Sequence, residues 1–384
     1  MKQRIYHIFN TRRLLLPLIA LTISFLASCG GGGGAMPPGP CPNGYTAPTP
    51  PIGVNPDIIV SAADGDDVLA DGICIAYKTI TAALTAAISG DTVWVAPGTY
   101  DAALGEIFPI APPANVMLIG DVENKGDGAT ATLISGNGAS SEPGHYAAVM
   151  GAEGVTLSGF KLSNGAFIEL GFGLHSNGVT MTISHNTFAS GTYGGIRLLG
   201  AGNPLVENNV FHTTYFGVRA NTTGSSVVQN NTFPGQSLID NQDGDMTIQG
   251  NTITSSDVAA IVVQHGSPQI INNTINSTGY SVSALFIMFS ATPILRGNTF
   301  TIGGGYTVKI QDTAMPDLGT AGSPGNNVFA GAATNSIFHE AASTLSAIGN
   351  TWHTSPPGCG SGLDIEITGG GTVIWGSGAG EQCP

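Results

Sequence analysis

One asparagine recurs at a nearly constant spacing, and this repeat restricts the fold more than any other feature of the chain. The copies are Asn186, Asn209, Asn231, Asn251, Asn273, Asn298, Asn327 and Asn350, separated by 23, 22, 20, 22, 25, 29 and 23 residues. A large apolar residue stands two positions after each copy, and most copies have an apolar residue three positions before them. Eight matched copies predict a solenoid in which each repeat forms one coil.

Two kinds of solenoid share this local pattern. Leucine-rich repeats carry it too, but they also need a leucine-rich helical return segment. The return segments here are short, glycine-rich and β-like, at 193–199, 216–220 and 259–264. The sequence therefore predicts an all-β fold, a right-handed parallel β-helix built only from short parallel strands.

Stacked coils lie about 4.8 Å apart, so apolar residues at corresponding positions form continuous interior stacks. The repeated asparagine is expected at a turn, where it bonds the next copy in a ladder and adopts a left-handed backbone. We interpret this column as structural. The 29-residue step contains an expected excursion, a loop at about 312–323 that leaves the solenoid.

A short helix is predicted before the first full coil. Ile80, Leu84, Ala87 and Ile88 recur at helical spacing, and Gly90 ends the run. Such a helix can cover the open strand edges at the first end of a solenoid.

The segments Lys78-Thr79-Ile80 and Gly90-Asp91-Thr92-Val93 resemble the opening of many bacterial parallel β-helix repeat proteins of the pectin-lyase-like superfamily. The resemblance covers most of residues 57–352. It implies the β-helix fold, and its enzymes cut acidic polysaccharides. Lyases of that group use clustered carboxylates for calcium with an Arg or Lys base, whereas hydrolases need a close carboxylate pair.

The first 28 residues are predicted to be a lipoprotein signal peptide. A basic start and an apolar run at 14–25 precede Leu26-Ala27-Ser28-Cys29, which resembles the bacterial lipobox, with Cys29 as the lipid attachment point. Gly30 follows Cys29, so we expect a lipid-anchored protein of the outer membrane or cell surface, with the membrane as one partner.

The predicted segments are a signal peptide (1–28), a Gly/Pro-rich tether (29–56), an N-terminal cap with the helix (57–90), the β-helix (91–352) and a C-terminal cap (353–384).

The charge of the chain excludes some partners. The full chain has 11 basic and 25 acidic residues, a net charge of -14, and the signal segment removes four basic residues and no acidic ones. Nucleic acid is therefore not expected as a partner, because no basic stripe is present to displace counterions. A polysaccharide remains the candidate ligand, held at a local site.

Four cysteines follow Cys29, which suggests two disulfides in an exported protein. Three pairings are possible. We favour Cys41–Cys74 and Cys359–Cys383, because each pair lies near one end of the folded body. A metal site is the alternative, but no Cys-x-x-Cys spacing or His pair supports one.

A column of polar residues is the main candidate site. Strand alternation predicts that His175, Arg197, Arg219 and Asp240 point outward on consecutive coils, exposed beside a strip of amides. The flanking amides are Asn177, Asn221, Gln242 and Gln264. Such groups bind sugar hydroxyls or a carboxylate, and Phe286 or Tyr215 can stack on a sugar ring. The alternative is a surface ladder in which Arg219 pairs with Asp240.

Two functions remain open. The favoured one is a non-catalytic surface protein that binds carbohydrate or forms a structural stalk. The other is a polysaccharide lyase or glycoside hydrolase that uses Arg219, Asp240, Asp243 and Asp245, although Asp243-Gly244-Asp245 also reads as a plain turn. No cofactor is expected. A calcium ion at Asp64, Asp66, Asp67 and Asp71 is an alternative to a solvated loop there, which we favour.

Overall fold

The computed structural model describes residues 47–165, 168–255, 259–277, 283–331 and 335–384. Within these ranges the chain forms the predicted all-β solenoid, a parallel β-helix whose coils each pass through three faces. The three faces are parallel sheets of 10, 10 and 11 strands, apart from one antiparallel hairpin at an edge. The predicted signal peptide, Cys29 and Cys41 lie outside the described residues.

Sheet 1 consists of strands Ile58–Val60, Thr92–Val95, Met117–Ile119, Thr156–Ser158, Thr182–Ser184, Leu205–Glu207, Val227–Gln229, Thr247–Gln249, Gln269–Ile271 and Ile294–Arg296. Sheet 2 consists of Gly98–Asp101, Thr132–Ser135, Lys161–Ser163, Thr187–Phe188, Val210–Phe211, Thr232–Pro234, Thr252–Ser255, Thr274–Ser277, Thr299–Ile302 and Val328–Gly331. Sheet 3 consists of Gly138–Ala139, Tyr146–Met150, Gly171–Asn177, Gly194–Gly200, Phe216–Thr222, Leu238–Asp243, Ile261–Val263, Leu285–Ile287, Tyr306–Ile310, Asn335–His339 and Ile365–Ile367.

The helix spans Ile80–Ala86 and packs Ile80, Ala83 and Leu84 into the core. Thr79 caps its first turn, and the carboxylate of Glu106 accepts the main-chain amides of Ile80 and Thr81. The helix is shorter than predicted. Ile88 lies beyond its end and is exposed, because the chain turns toward sheet 1 before Gly90.

The interior is filled by stacked side chains from corresponding positions of successive coils. The rings of Phe188, Phe211 and Phe233 lie one above another, with centroids 4.7 and 4.6 Å apart. These are the apolar residues that follow the repeated asparagine by two positions. Parallel stacking therefore joins all coils into one continuous apolar core.

The asparagine ladder occupies the tight turn between sheet 1 and sheet 2. From Asn186 to Asn327, the main-chain amide and the side-chain Nδ2 of each copy donate to Oδ1 of the next, at 2.9–3.1 Å. These copies are buried. The prediction that they adopt the left-handed backbone is wrong, because the preceding residue does so instead. Asn208, Asn230, Asn272 and Asn326 have φ of 57°, 55°, 55° and 51°.

The expected excursion at 312–323 is only partly found. Ala314 and Leu318 are buried in the core, and Asp317 pairs in parallel with Ile294 of sheet 1. The chain therefore continues the coil through residue 318. Only a short turn follows, closed by a bridge between Thr320 and Ser323.

A small sheet of strands Thr344–Ser346, Thr372–Ile374 and Gln382–Cys383 lies at the C-terminal end. A disulfide joins Cys359 to Cys383, whose side chain is buried against the core. It ties the last strand to the final coil. The other favoured pair, Cys41–Cys74, includes a residue outside the described ranges.

Candidate functional site: the outer face of sheet 3

Ten side chains form one column on the outer face of sheet 3, at paired positions on successive strands. We call it the outer column: Met150, His175, Arg197, Arg219, Asp240, Val262, Phe286, Lys309, Phe338 and Glu366. The alternate residues Leu174, Ile196 and Val218 point into the core. At about 4.8 Å per strand the column is about 40 Å long. His175, Arg197, Arg219 and Asp240 are adjacent within it, as their spacing of 22, 22 and 21 residues predicted.

Arg197 binds a carboxylate that comes from outside the repeat. Its Nε and Nη2 donate to the two oxygens of Glu142, both at 3.0 Å, and its Nη1 donates to Oε1 of Gln242 at 2.6 Å. This is a two-point pairing of a planar guanidinium with a carboxylate. The hydrogen bonds from Arg197 lower the pKa of Glu142 to about 2, so Glu142 is ionised.

His175 lies beside this pair and is fully buried. Its Nε2 is 3.4 Å from Oε2 of Glu142, and burial lowers the pKa of the imidazole. The neutral ring therefore donates from Nε2, because a carboxylate can only accept. In the described part of the chain, Nδ1 of His175 has no hydrogen-bond partner.

Glu142 sits at the tip of a hairpin. The strands Gly138–Ala139 and Tyr146–Met150 pair antiparallel, and the tip between them folds over the start of the outer column. This placement corrects the prediction that the column is exposed, because the tip covers His175 and Arg197. The side chain of Arg197 is only 6% exposed, whereas that of Glu142 is 24% exposed.

Arg219 and Asp240 form the next pair along the column. Arg219 Nε lies 3.1 Å from Oδ2 of Asp240, and Gln264 Nε2 donates to the other oxygen at 2.9 Å. Burial raises the pKa of Asp240, against the lowering effects of Gln264 and Arg219. The guanidinium also lies over the ring of Phe216, 4.5 Å from its centroid. The ion pair expected for a surface ladder is therefore present, but Asp240 is buried.

Aromatic rings flank this part of the column. Tyr193 contacts Phe172, Tyr215 and Phe216, with ring centroids 5.8, 5.3 and 5.5 Å away. Tyr215 is 46% exposed. Next to it, a cleft of about 300 Å³ is lined by Ser190, Gly191, His212, Thr213, Thr214, Pro234, Gly235, Gln236 and Ser237. An exposed ring thus stands beside a hydroxyl-rich cleft.

The far end of the column is also aromatic and charged. Lys309 Nζ lies 5.7, 6.0 and 5.4 Å from the ring centroids of Phe286, Tyr306 and Phe338. It also lies 3.6 Å from Oε2 of Glu340. Aromatic and charged groups therefore occur at both ends of the face.

The amide strip departs from the predicted register. Asn221 pairs with Asp243 and not with Gln242, because the strand pairing shifts between Ala220 and Asn221. Gln242 instead reaches Arg197, and Asn177 Nδ2 donates to Ser141 of the hairpin tip at 3.2 Å. The repeat length varies by a few residues from coil to coil, so it could not place a bulge at this position.

The predicted catalytic group does not assemble, because Asp243 and Asp245 do not lie with Asp240 around the guanidinium of Arg219. Asp243 accepts the main-chain amide of Gly244, and Asp245 accepts that of Ser267. Neither forms an ion pair with Arg219. Both residues shape an exposed turn, so the predicted catalytic group is reduced to Arg219 and Asp240.

The acidic loop near the N-terminus is also held by its own hydrogen bonds. Asp66 and Asp71 accept nearby main-chain amides, and Asp67 accepts those of Lys78 and Thr79. Among the described residues, no three His, Cys, Asp or Glu side chains are grouped to hold a metal ion.

Sequence reasoning missed Glu142 and Tyr193. Glu142 lies outside the repeat, so no periodicity could align it with Arg197. Tyr193 stands one coil before Tyr215, and this 22-residue step was the available signal.

In the described part of the chain, no helix has the length and apolar character needed to cross a membrane. No curated protein and no solved structure matches the chain. A family model described as "Protein of unknown function (DUF1565)" matches residues 63–359. Because this match covers well over half of its length, the chain belongs to the DUF1565 family.

Proposed function

We propose that the chain is a lipid-anchored surface protein whose outer column binds carbohydrate without cleaving it. The anchor rests on the lipobox-like segment ending at Cys29. The binding role rests on one observation, which is that planar polar side chains and aromatic rings lie side by side along a single face of the sheet.

Sugars present hydroxyls to polar side chains and flat C–H faces to rings. Arg219, stacked on Phe216, and the exposed ring of Tyr215 provide both kinds of contact within one coil. The cleft beside Tyr215 has a volume of about 300 Å³, at the lower end of the usual range for ligand pockets. A linear face about 40 Å long suits an extended polymer better than a small molecule.

Binding is tested by titrating the mature body with soluble neutral and acidic polysaccharides. Tyr215→Ala and Arg219→Ala are each expected to weaken binding at least tenfold. Arg296→Ala is the matched control, because Arg296 also pairs with an aspartate and its side chain is 18% exposed, against 21% for Arg219. Equal affinity of all four proteins, or no binding by any, would refute the proposal.

A hydrolase is the second candidate, for one specific reason. The pKa of Asp240 is raised by burial while the pKa of Glu142 is lowered by Arg197, which is the split that an acid and a base require. New reducing ends that appear with the wild type and disappear with Asp240→Asn would favour this function over binding alone.

A further inference from the structure

The pocket formed by Arg197 and His175 is built into the sheet, whereas the group that fills it is not. Arg197 and His175 stand on adjacent strands of sheet 3 and are buried. Glu142 reaches them from the hairpin tip. The pocket is therefore a preformed carboxylate site, and its present occupant belongs to a separate surface element.

The hairpin tip has few apolar contacts with the sheet, chiefly the ring of His145 stacked on Phe172 with centroids 6.2 Å apart. None of residues 136–146 is buried. Three side chains of sheet 3 donate hydrogen bonds to the tip: Arg197 and His175 donate to the carboxylate of Glu142, and Asn177 donates to the hydroxyl of Ser141. Segments with few buried apolar contacts open locally at low cost.

The tip is also held together by its own hydrogen bonds. Ser140 donates its main-chain amide to the carbonyl of His145, and the main-chain amide of His145 donates to the carbonyl of Glu142. The Ser140 hydroxyl also donates to the main-chain carbonyl of Glu142 and accepts its main-chain amide. The tip can therefore move away as a unit without losing its internal structure.

From these contacts we infer that Glu142 occupies a binding site for a ligand carboxylate and is displaced when such a ligand binds. This inference rests on the proposed function. A carbohydrate that carries a carboxylate is an acidic sugar, so an acidic sugar is the expected ligand. The exchange leaves Arg197 paired throughout, since one carboxylate replaces another and no buried charge is left without a partner. Asn177 then becomes available to sugar hydroxyls.

The intramolecular carboxylate competes with the ligand, because the hairpin holds Glu142 at a high effective concentration. The wild type should therefore bind a carboxylate weakly, and removal of Glu142 should strengthen binding. Glu142→Ala empties the pocket, and Glu142→Gln keeps the shape of the side chain without its charge. Glu153→Gln is the control, because it removes an exposed carboxylate that accepts a single main-chain amide.

The probes are trigalacturonate, galactotriose and acetate, measured by calorimetry, with NMR for acetate. We expect Glu142→Ala and Glu142→Gln to bind trigalacturonate at least tenfold more tightly than the wild type and Glu153→Gln do. Their affinity for galactotriose should be unchanged. Adding Arg197→Leu to either Glu142 variant should abolish the gain in affinity for trigalacturonate. In the wild type, trigalacturonate should increase hydrogen exchange at residues 139–146.

The results separate the two proposals. If galactotriose and trigalacturonate bind all variants alike, carbohydrate binding stands and displacement of Glu142 is refuted. If the Glu142 variants gain affinity for acetate but no protein binds either sugar, the carboxylate site stands and carbohydrate binding is refuted. Unchanged hydrogen exchange at the tip on saturation with trigalacturonate would also overturn displacement.

Discussion

Asn231 accepts two hydrogen bonds from Asn209 through one oxygen, from the main-chain amide at 2.9 Å and from the side-chain Nδ2 at 3.1 Å. Both residues are buried. Asn209 in turn donates Nδ2 to the carbonyl of Ile183. The side chain of Asn231 thus satisfies main-chain groups of two coils, the amide of Asn209 in the earlier coil and the carbonyl of Gln229 in its own.

Asn231→Ala should lower the free energy of unfolding by about 3 to 4 kcal/mol, because it leaves several buried polar groups without partners. Urea denaturation measures the loss. Asn221→Ala is the matched control, since Asn221 is exposed on sheet 3, and it should cost less than about 0.5 kcal/mol. Similar losses for the two variants would argue against a structural ladder.

The residue before each ladder position gives a second prediction. Asn208 has φ of 57°, a conformation that glycine adopts freely and alanine does not. Asn208→Ala should destabilise the fold by about 1 kcal/mol, whereas Asn208→Gly should be nearly neutral. Thermal denaturation of both variants provides the comparison, and a larger loss for the glycine variant would contradict the assigned turn.

The Glu142 contacts predict a dependence of stability on pH. The folded pKa of about 2 lies below the ordinary value of 4.5. The stabilisation is therefore fully present above pH 4.5 and is lost as the pH falls toward 2. Relative to Glu142→Gln, the wild type should be more stable by at most about 3 kcal/mol at pH 7, and the difference should vanish near pH 2.

Unfolding curves at several pH values test this, with Glu153→Gln as the control for loss of one negative charge. A difference between wild type and Glu142→Gln that is the same at pH 7 and pH 2 would show that the ion pair does not contribute.

The lipid anchor is tested by Cys29→Ala. This variant should not receive acyl chains and should leave the membrane fraction for the soluble fraction, because the predicted anchor is the lipid. Fractionation with detection of the mature body is the measurement. Retention of the variant in membranes would place the anchor elsewhere.

Peptide mapping without reduction should recover the pairs Cys41–Cys74 and Cys359–Cys383. Replacing Cys359 and Cys383 by serine should cost about 3 kcal/mol, since the bridge closes a loop between residues 24 apart. A bridge between the two ends of the chain would contradict this pairing.

The sequence predicted the sheet register of the outer column well and its surroundings poorly. Residues His175, Arg197 and Arg219 are paired because a constant 22-residue step keeps each at the same angle around the axis. The bulge after Ala220 adds one residue without changing the apolar pattern, so no periodicity reports it.

The burial of Arg197 was unpredictable for a different reason. Its partner Glu142 lies 55 residues away on a hairpin that belongs to no repeat. Repeat reasoning places residues that recur, whereas a single insertion that folds back over the sheet leaves no periodic trace. The predicted end of the helix was wrong for a similar reason. Ile88 fits the helical period, but the helix has already ended at Ala86.

The ladder also has a direction. In the bonds between asparagines, each copy from Asn186 to Asn327 donates to the copy in the later coil. The series begins where Asn186 accepts the amide of Phe160, and it ends at Asn350, which donates to the carbonyls of Leu318 and Ala347. An internal coil is therefore interchangeable with its neighbours, whereas the two terminal ones are not. The solenoid can lengthen or shorten by duplication or deletion of a whole unit between Asn209 and Asn298, and the buried amides remain paired after either event. The number of coils is thus the property of this fold that can change most easily during evolution.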